Sequence, residues 1–190
     1  MVKKQTTPCV ALLRGINVGG RKLIKMEKLV RIFDAVGFAN VRTLIASGNV
    51  VFDAPQPDVN RLAKTIEKHL EKALGYDVTV IVRTIDDLKK FVKHKPFNKV
   101  GASGDVMLFV TFLASEPEKK PKLPLTSVTD NMELFWLRDR ISCTLARRKK
   151  TGWFGFPNNF IEKQLGVSAT TRNWSTVVKL AAADTKKNEG

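Results

Sequence analysis

Strand-like and helix-like patterns follow one another in the first half of this chain in the order βαββαβ. Apolar residues recur at three- and four-residue spacing where helices are predicted, and Gly37 and Gly75 mark their ends. The turn Ser47-Gly48-Asn49 joins the two central strands. Because this order is that of the ferredoxin-like plan, the first half predicts an α+β fold with one sheet. The predicted strands span residues 9–16, 41–46, 50–53 and 77–83, and the helices span residues 24–36 and 58–74.

The second half of the chain predicts a smaller α+β subdomain. It resembles a degenerate copy of the first half, in which a Pro- and Lys-rich connection replaces the first helix, although the two sequences do not repeat. Strands are expected at residues 106–113, 132–137 and 141–146, an extended piece at 167–170, and helices at 158–165 and 173–182. A short helix at 85–93 and a stretch bearing Pro, Gly and Ser separate the halves. The predicted divisions are 1–95 for the ferredoxin-like subdomain, 96–104 for a linker, 105–183 for the second subdomain and 184–190 for a disordered tail.

The charge balance of the chain is strongly basic, since 33 Lys and Arg against 18 Asp and Glu give a net charge of +15. Such an excess attracts nucleic acid, phosphorylated ligands or an anionic membrane surface. The longest apolar run is less than half of a bilayer span, and no signal-peptide pattern precedes Cys9. Cys9 and Cys143 are too few for a disulfide framework. We therefore expect a soluble cytoplasmic protein that does not associate with membranes.

A loop with three glycines and flanking arginines, ALLRGINVGGR at residues 11–21, follows the first strand. Its glycines let a ligand approach the backbone, and the next helix presents the partial positive charge of its N-terminus. In a ferredoxin-like sheet this loop and the hairpin at residues 47–49 emerge at the same end. The pattern predicts an anion seat, with a purely structural turn as the alternative. Its candidate residues are Arg14, Asn17, Gly19, Gly20, Arg21, Ser47 and Asn49.

A second basic segment, RRKKTGWFGF at residues 147–156, places three aromatic residues after four cations. Single-stranded nucleic acid is bound through such a combination, in which cations hold phosphates and flat rings stack on bases. The alternative is an exposed basic turn whose aromatic side chains fold back into the core. The candidate nucleic-acid-binding residues are Arg147, Arg148, Lys149, Lys150 and Trp153.

A third group of cations consists of five lysines between Lys89 and Lys99, opposed only by Asp86 and Asp87. Lysines at this density favour contact with phosphate, while many such groups serve only solubility. The patch is therefore a further place where an anion could bind.

The chain has few residues of the types that bind catalytic metals or act as activated nucleophiles. His69 and His94 stand apart from carboxylates and cysteines at metal-ligand spacing, so no metal is expected. Ser47 and Cys143 have no base partner that the sequence reveals. The glycine loop lacks the spacing of a Walker A or dinucleotide motif, and no cofactor is expected. Whether the protein is an enzyme stays open.

Three segments of the chain resemble the signatures of a bacterial family of proteins of unknown function. They are LLRGINVGG at residues 12–20, SGNVVF at residues 47–52 and TTRNWSTVVKL at residues 170–180, and the resemblance covers residues 8–182. It implies an α+β fold with a ferredoxin-like part and a cytoplasmic protein without an established activity. The family pattern places a lysine where this chain has Leu23, between Lys22 and Lys25. The resemblance supplies no mechanism.

The third signature adds Arg172 to the candidate ligand-binding residues, because Arg172 and Trp174 fall at the N-terminus of the last predicted helix. Packing against the sheet is the better interpretation of Trp174. The sequence thus favours a protein that binds an anion, above all nucleic acid, through the glycine-loop seat. An enzyme acting on a phosphorylated or nucleotide-like small molecule and a structural or partner-binding protein are the alternatives, and the oligomeric state stays open.

Overall fold

The computed structural model describes residues 6–17, 23–45, 48–55, 58–100, 104–118 and 120–183. The chain divides into two compact units, one formed by Met1–Lys90 with Lys179–Gly190 and the other by Phe91–Val178. Each unit contains one antiparallel sheet, so the fold is α+β, as predicted. Within the described ranges, no helix is long and apolar enough to cross a bilayer. The predicted disordered tail, residues 184–190, lies outside the described residues.

The first unit is built on a four-stranded antiparallel sheet with the order β2-β3-β1-β4. Strand β3 lies between β1 and β2, which the helix α1 connects, so the unit contains a split βαβ arrangement. The elements are β1 (Thr7–Leu13), α1 (Met26–Val36), β2 (Ala39–Thr43), β3 (Asn49–Ala54), α2 (Val59–Leu74) and β4 (Val80–Thr84), followed by α3 (Ile85–Lys93).

The ends of the two long helices are set by local sequence. Asp58 caps α2, because its side chain accepts hydrogen bonds from the backbone N–H groups of Asn60 and Arg61. Gly37 and Gly75 end α1 and α2 with φ of +91° and +78°, as predicted from their positions. The core of this unit includes Leu29, Phe33, Phe52, Ile66 and Leu70, all fully buried.

The second unit is built on a five-stranded antiparallel sheet with the order β6-β7-β8-β5-β9. A connection without a helix in its described residues leads from β5 to the short edge strand β6. The elements are β5 (Val106–Leu113), β6 (Leu125–Ser127), β7 (Met132–Arg138), β8 (Ile141–Arg147), α4 (Asn158–Leu165), β9 (Ala169–Asn173) and α5 (Trp174–Ala181).

The two sheets correspond in strand order and register. Without β6, the order β7-β8-β5-β9 of the second sheet matches β2-β3-β1-β4 of the first. Val10 of β1 lies opposite Arg83 of β4, and Val110 of β5 lies opposite Arg172 of β9. Both arginines are buried. The two halves therefore share a topology although their sequences do not repeat.

The boundaries of the predicted elements lie within about three residues of the observed ones, and β1 and β9 show why they differ. Strand β1 ends at Leu13 because Gly15 and Asn17 adopt positive φ, which ends the extended backbone. Strand β9 continues to Asn173 because its last residues pair with β5. Strand β6 was not expected; its three residues pair only with β7 at the sheet edge, too short for an alternating pattern to reveal.

Candidate functional site

Two loops of the first unit meet at one end of its sheet. The backbone N–H of Leu13 donates to the carbonyl oxygen of Gly48 at 2.8 Å, and Leu12 pairs with Asn49. A Cβ atom on Gly48 would lie 3.1 Å from Cβ of Leu13 and 3.4 Å from Cβ of Ile16. The prediction that the glycine loop and the hairpin are neighbours is confirmed for their described residues.

Two asparagines predicted to bind a ligand hold these loops in shape. Oδ1 of Asn17 accepts from the backbone N–H of Ile24 at 2.8 Å, while its Nδ2 donates to the Ile24 carbonyl at 3.1 Å. Asn17 thus closes the base of the glycine loop, at a φ of +57° that asparagine tolerates. Asn49 is fully buried, and its Nδ2 donates to the carbonyl of Leu44 at 3.0 Å.

Of the remaining residues of the predicted anion seat in the first unit, Arg14 lies within the described residues. Arg14 is exposed, and its backbone N–H donates to the carbonyl of Thr79 at 2.9 Å. Arg14 is the positively charged candidate among the described residues of the seat in this unit. The others, Gly19, Gly20, Arg21 and Ser47, lie outside the described residues, so the seat stays a prediction.

Arg172, the last candidate of the ligand-binding group, lies on β9 of the second unit with only 8% of its surface exposed. Its Nη1 donates to Oγ1 of Thr170 and to the carbonyl of Thr171, both at 2.8 Å. Burial lowers the pKa of its guanidinium to about 10, because the charged form loses hydration. These contacts hold the Arg172 guanidinium against its own strand, and its burial leaves little of it for an anion from solvent to contact.

The basic-aromatic loop, which we define as residues 147–156, leads from the end of β8 toward α4. Gly152 N–H donates to the carbonyl of Lys149, and Lys149 N–H donates to the carbonyl of Trp153, both at 2.9 Å. Gly152 has a φ of +84°, a conformation that favours glycine. This tight turn fixes the backbone of Trp153 in place.

Two of the four cations in the loop stabilise the loop itself. Arg148 Nε lies 2.9 Å from Oδ1 of Asp105, and its two terminal nitrogens donate to the carbonyls of Gly104 and Gly152. The same guanidinium lies 4.9 Å from the ring centre of Phe154. Lys149 Nζ lies 3.3 Å from Oδ1 of Asp130. Arg148 and Lys149 are therefore engaged within the protein.

The aromatic residues of the loop divide between core and surface. Phe154 is half-buried and packs against the cluster of Phe109, Met132 and Ala146. Trp153 is 78% exposed and Phe156 is 58% exposed, although the Phe156 ring packs edge-on against Phe109 with the ring centres 5.6 Å apart. Of the two interpretations of this segment, core packing applies to Phe154 and surface exposure to Trp153.

The other two cations of the loop, Arg147 and Lys150, remain at the surface. Lys150 is exposed and forms no ion pair with any described residue. Arg147 is half-exposed, and its Nη1 lies 3.8 Å from Oε2 of Glu133, a distance that makes only a weak pair. Lys150 and Trp153 therefore present a cation and a flat ring to solvent three residues apart.

Both cysteines are buried and free, and burial makes them poor nucleophiles. Burial is the main cause that raises the pKa of the Cys9 thiol to about 12, with the charges of Asp53 and Asp87 contributing; burial also raises the pKa of the Cys143 thiol. Stabilisation of the folded state through the neutral Cys9 thiol is complete below pH 9 and lost between pH 9 and about 12.

In the described parts of the chain, no three His, Cys, Asp or Glu residues cluster to hold a metal.

We expect neither thiol to react with an aromatic disulfide reagent at pH 8 while the protein is folded, because the thiolate population at Cys9 and Cys143 is very small. Absorbance of the released thiolate measures the reaction, and the same protein in guanidinium chloride serves as the control with two reactive thiols. Fast stoichiometric labelling of the folded protein would contradict the burial of these residues.

The fold and the loops define an α+β protein of two units, each with one antiparallel sheet, that carries a basic-aromatic surface loop. The model of the family described as "Protein of unknown function (DUF1697)" matches residues 6–141. The chain belongs to this family. The basic-aromatic loop follows the matched residues, so it lies outside the part of the chain that the family model covers.

A solved structure supports the fold over nearly the whole chain. The conserved bacterial protein SP0830 from Streptococcus pneumoniae is similar with a TM-score of 0.64 and 18% sequence identity, over 94% of this chain and 98% of that one. No curated protein matches the chain. At this identity the likeness shows the fold alone.

Sequence reasoning did not find two groups that shape the basic-aromatic loop. Asp105 and Asp130 hold Arg148 and Lys149 from 43 and 19 residues earlier in the chain. Phe156 was not among the predicted site residues, yet its ring is mostly exposed. The excess of cations at 147–150 was the available signal that acidic partners were needed, but nothing in the sequence identifies which ones.

Proposed function

We propose that the protein binds single-stranded nucleic acid through the basic-aromatic loop of its second unit. The observation that carries this proposal is the exposure of Trp153, 78%, at the tip of a turn closed by hydrogen bonds. A large aromatic side chain in water has no packing reason to be there, and stacking on a base would bury it. Phe156 offers a second exposed ring three residues further on.

The charge around these rings fits a phosphate backbone. Lys150 is available for a phosphate, and Arg148 and Lys149 keep the loop in place through Asp105 and Asp130. Because the loop is already ordered, little conformational entropy is lost when it binds. The net charge of +15 adds a long-range attraction that accelerates encounter with any polyanion.

Cytoplasmic location is part of this proposal, because that is where single-stranded RNA is available in a bacterial cell. Two free, buried cysteines fit a reducing compartment.

Fluorescence anisotropy with labelled single-stranded RNA, single-stranded DNA and duplex DNA, at low and near-physiological salt, tests the proposal. We expect saturable binding that persists at the higher salt and prefers a single strand, because a duplex hides the faces of its bases. Binding that ignores the form of the nucleic acid and disappears with salt would reduce the +15 charge to non-specific attraction and overturn the proposal.

Replacing Lys150 by Ala is expected to lower the slope of log K against log salt by about 0.7 on a single strand, the change for one lost phosphate contact. Arg14→Ala tests the glycine-loop seat in the same assay and is expected to leave the slope unchanged. Lys72→Ala, an exposed cation on α2, controls for the loss of charge alone. A slope reduced by Arg14→Ala and not by Lys150→Ala would move the binding site to the seat.

A further inference from the structure

A cleft of about 430 Å³ lies within the second unit, on the opposite face of the β7–β8 pair from Met132, Leu134 and Ala146. Its volume falls in the range of small-molecule sites. Its floor is apolar and its rim carries charges of both signs. The apolar lining includes Val106, Phe135 and Leu145, and the charged lining consists of Lys99, Glu133 and Arg147.

A β-bulge places an aromatic ring at this cleft. Leu134 pairs with Thr144 and Trp136 pairs with Cys143, so Phe135 is an extra residue in β7. Its ring packs edge-on against Phe97, with the ring centres 5.6 Å apart. Phe135 is therefore held by a neighbour while it lines the cleft, which gives a flat ligand a ready surface.

The rim of the cleft has an excess of positive charge. Arg147 and Lys99 oppose the single carboxylate of Glu133. The Arg147–Glu133 distance of 3.8 Å is longer than a charge-assisted hydrogen bond, so the guanidinium keeps donors for another acceptor. Lys99 is exposed and pairs with no carboxylate among the described residues.

We propose that this cleft binds a nucleoside monophosphate. The base would lie on Phe135 and Leu145, the phosphate would be held by Arg147 and Lys99, and Glu133 would accept a hydrogen bond from a sugar hydroxyl. An aromatic amino acid also combines a ring with both charges, but its zero net charge does not match a rim with two cations and one anion. The cleft shares Arg147 with the basic-aromatic loop, but Trp153, which carries the function proposed above, does not line it, so the cleft proposal does not rest on that function.

Isothermal titration calorimetry of the full chain with AMP and UMP tests the proposal, with adenosine, inorganic phosphate and phenylalanine as comparison ligands. We expect one nucleotide per chain, binding at least tenfold tighter than adenosine or phosphate. Arg147→Ala should weaken it at least tenfold and Phe135→Leu about threefold to tenfold, because Leu keeps the apolar contact but not the ring. Circular dichroism checks that both variants are folded.

Trp153→Ala separates this site from the basic-aromatic loop. We expect it to leave the affinity for AMP unchanged within twofold, whatever it does to an oligonucleotide. A nucleotide affinity lost in Trp153→Ala but kept in Arg147→Ala, preferential binding of phenylalanine, or no binding of either nucleotide would each overturn the cleft proposal. Loss of oligonucleotide binding alone would leave it intact.

Discussion

Trp153→Ala is expected to weaken binding to a single-stranded oligonucleotide by about five- to 150-fold, since one stacked base contributes about 1–3 kcal/mol. The ring is 78% exposed, so its removal takes away almost no internal packing and the fold should be kept. Anisotropy titrations of wild type and variant at equal salt measure the effect. The slope against salt should stay the same, because no phosphate contact is removed.

Trp153→Phe is the matched control for this substitution. A smaller ring in the same turn still stacks, so we expect most of the affinity to return. Phe154→Leu, at the half-buried neighbour, should reduce stability more than affinity, because Phe154 packs on Phe109, Met132 and Ala146. Equal affinities of wild type and Trp153→Ala would show that the exposed ring does not stack on bases, and the proposed function would be wrong.

Most of the fold could be predicted because it depends on local patterns. Helix α2 illustrates this: its cap Asp58, its apolar spacing and its terminal Gly75 all lie within one segment, and the helix begins one residue after the predicted start and ends at the predicted end. Strand β6 illustrates the limit, since three residues at an edge are recognised only through their partner β7. The order of strands followed from connectivity, because α1 and α2 each span one crossover.

The candidate site could be predicted less well, because exposure and pairing are tertiary properties. Trp153 and Phe154 are adjacent and chemically similar, yet one is at the surface and the other packs on a cluster. Among the cations, Arg148 is engaged because Asp105 lies beside it, which sequence spacing does not show. Asn17 was a candidate ligand-binding residue of a loop whose alternative was a structural turn, and its two hydrogen bonds to Ile24 are what a structural turn requires.

The cleft could not be predicted from the sequence, because it too depends on tertiary contacts. Lys99 was recognised as part of a lysine patch, and Arg147 as part of a basic run, but their common cavity is lined by one turn and three strands. The bulge at Phe135 has no signature such as a glycine in its strand. A composition rich in cations indicates an anionic ligand. The shape of the cavity, which determines which anion fits, forms only when the protein folds.

Gly48→Ala is expected to lower the free energy of unfolding by about 2–5 kcal/mol, the largest stability effect we predict. A non-glycine residue at a φ of +74° costs about 1–2 kcal/mol. The new methyl group would also lie 3.1 Å from Cβ of Leu13 and 3.4 Å from Cβ of Ile16, and overpacking costs about 1–3 kcal/mol. The loop cannot move aside freely, because Gly48 accepts the 2.8 Å hydrogen bond from Leu13. Urea unfolding measures the loss.

Gly75→Ala and Gly15→Ala separate conformational strain from close packing. Their φ values of +78° and +68° resemble that of Gly48, yet no atom lies within 4 Å of an added Cβ. We expect each to cost only the strain, about 1–2 kcal/mol, so the excess at Gly48 measures how tightly the hairpin is pressed against the glycine loop. Equal losses at all three positions would mean that the two loops separate readily. In that case they could not present a fixed seat to an anion, since preorganised contacts are what such a seat requires.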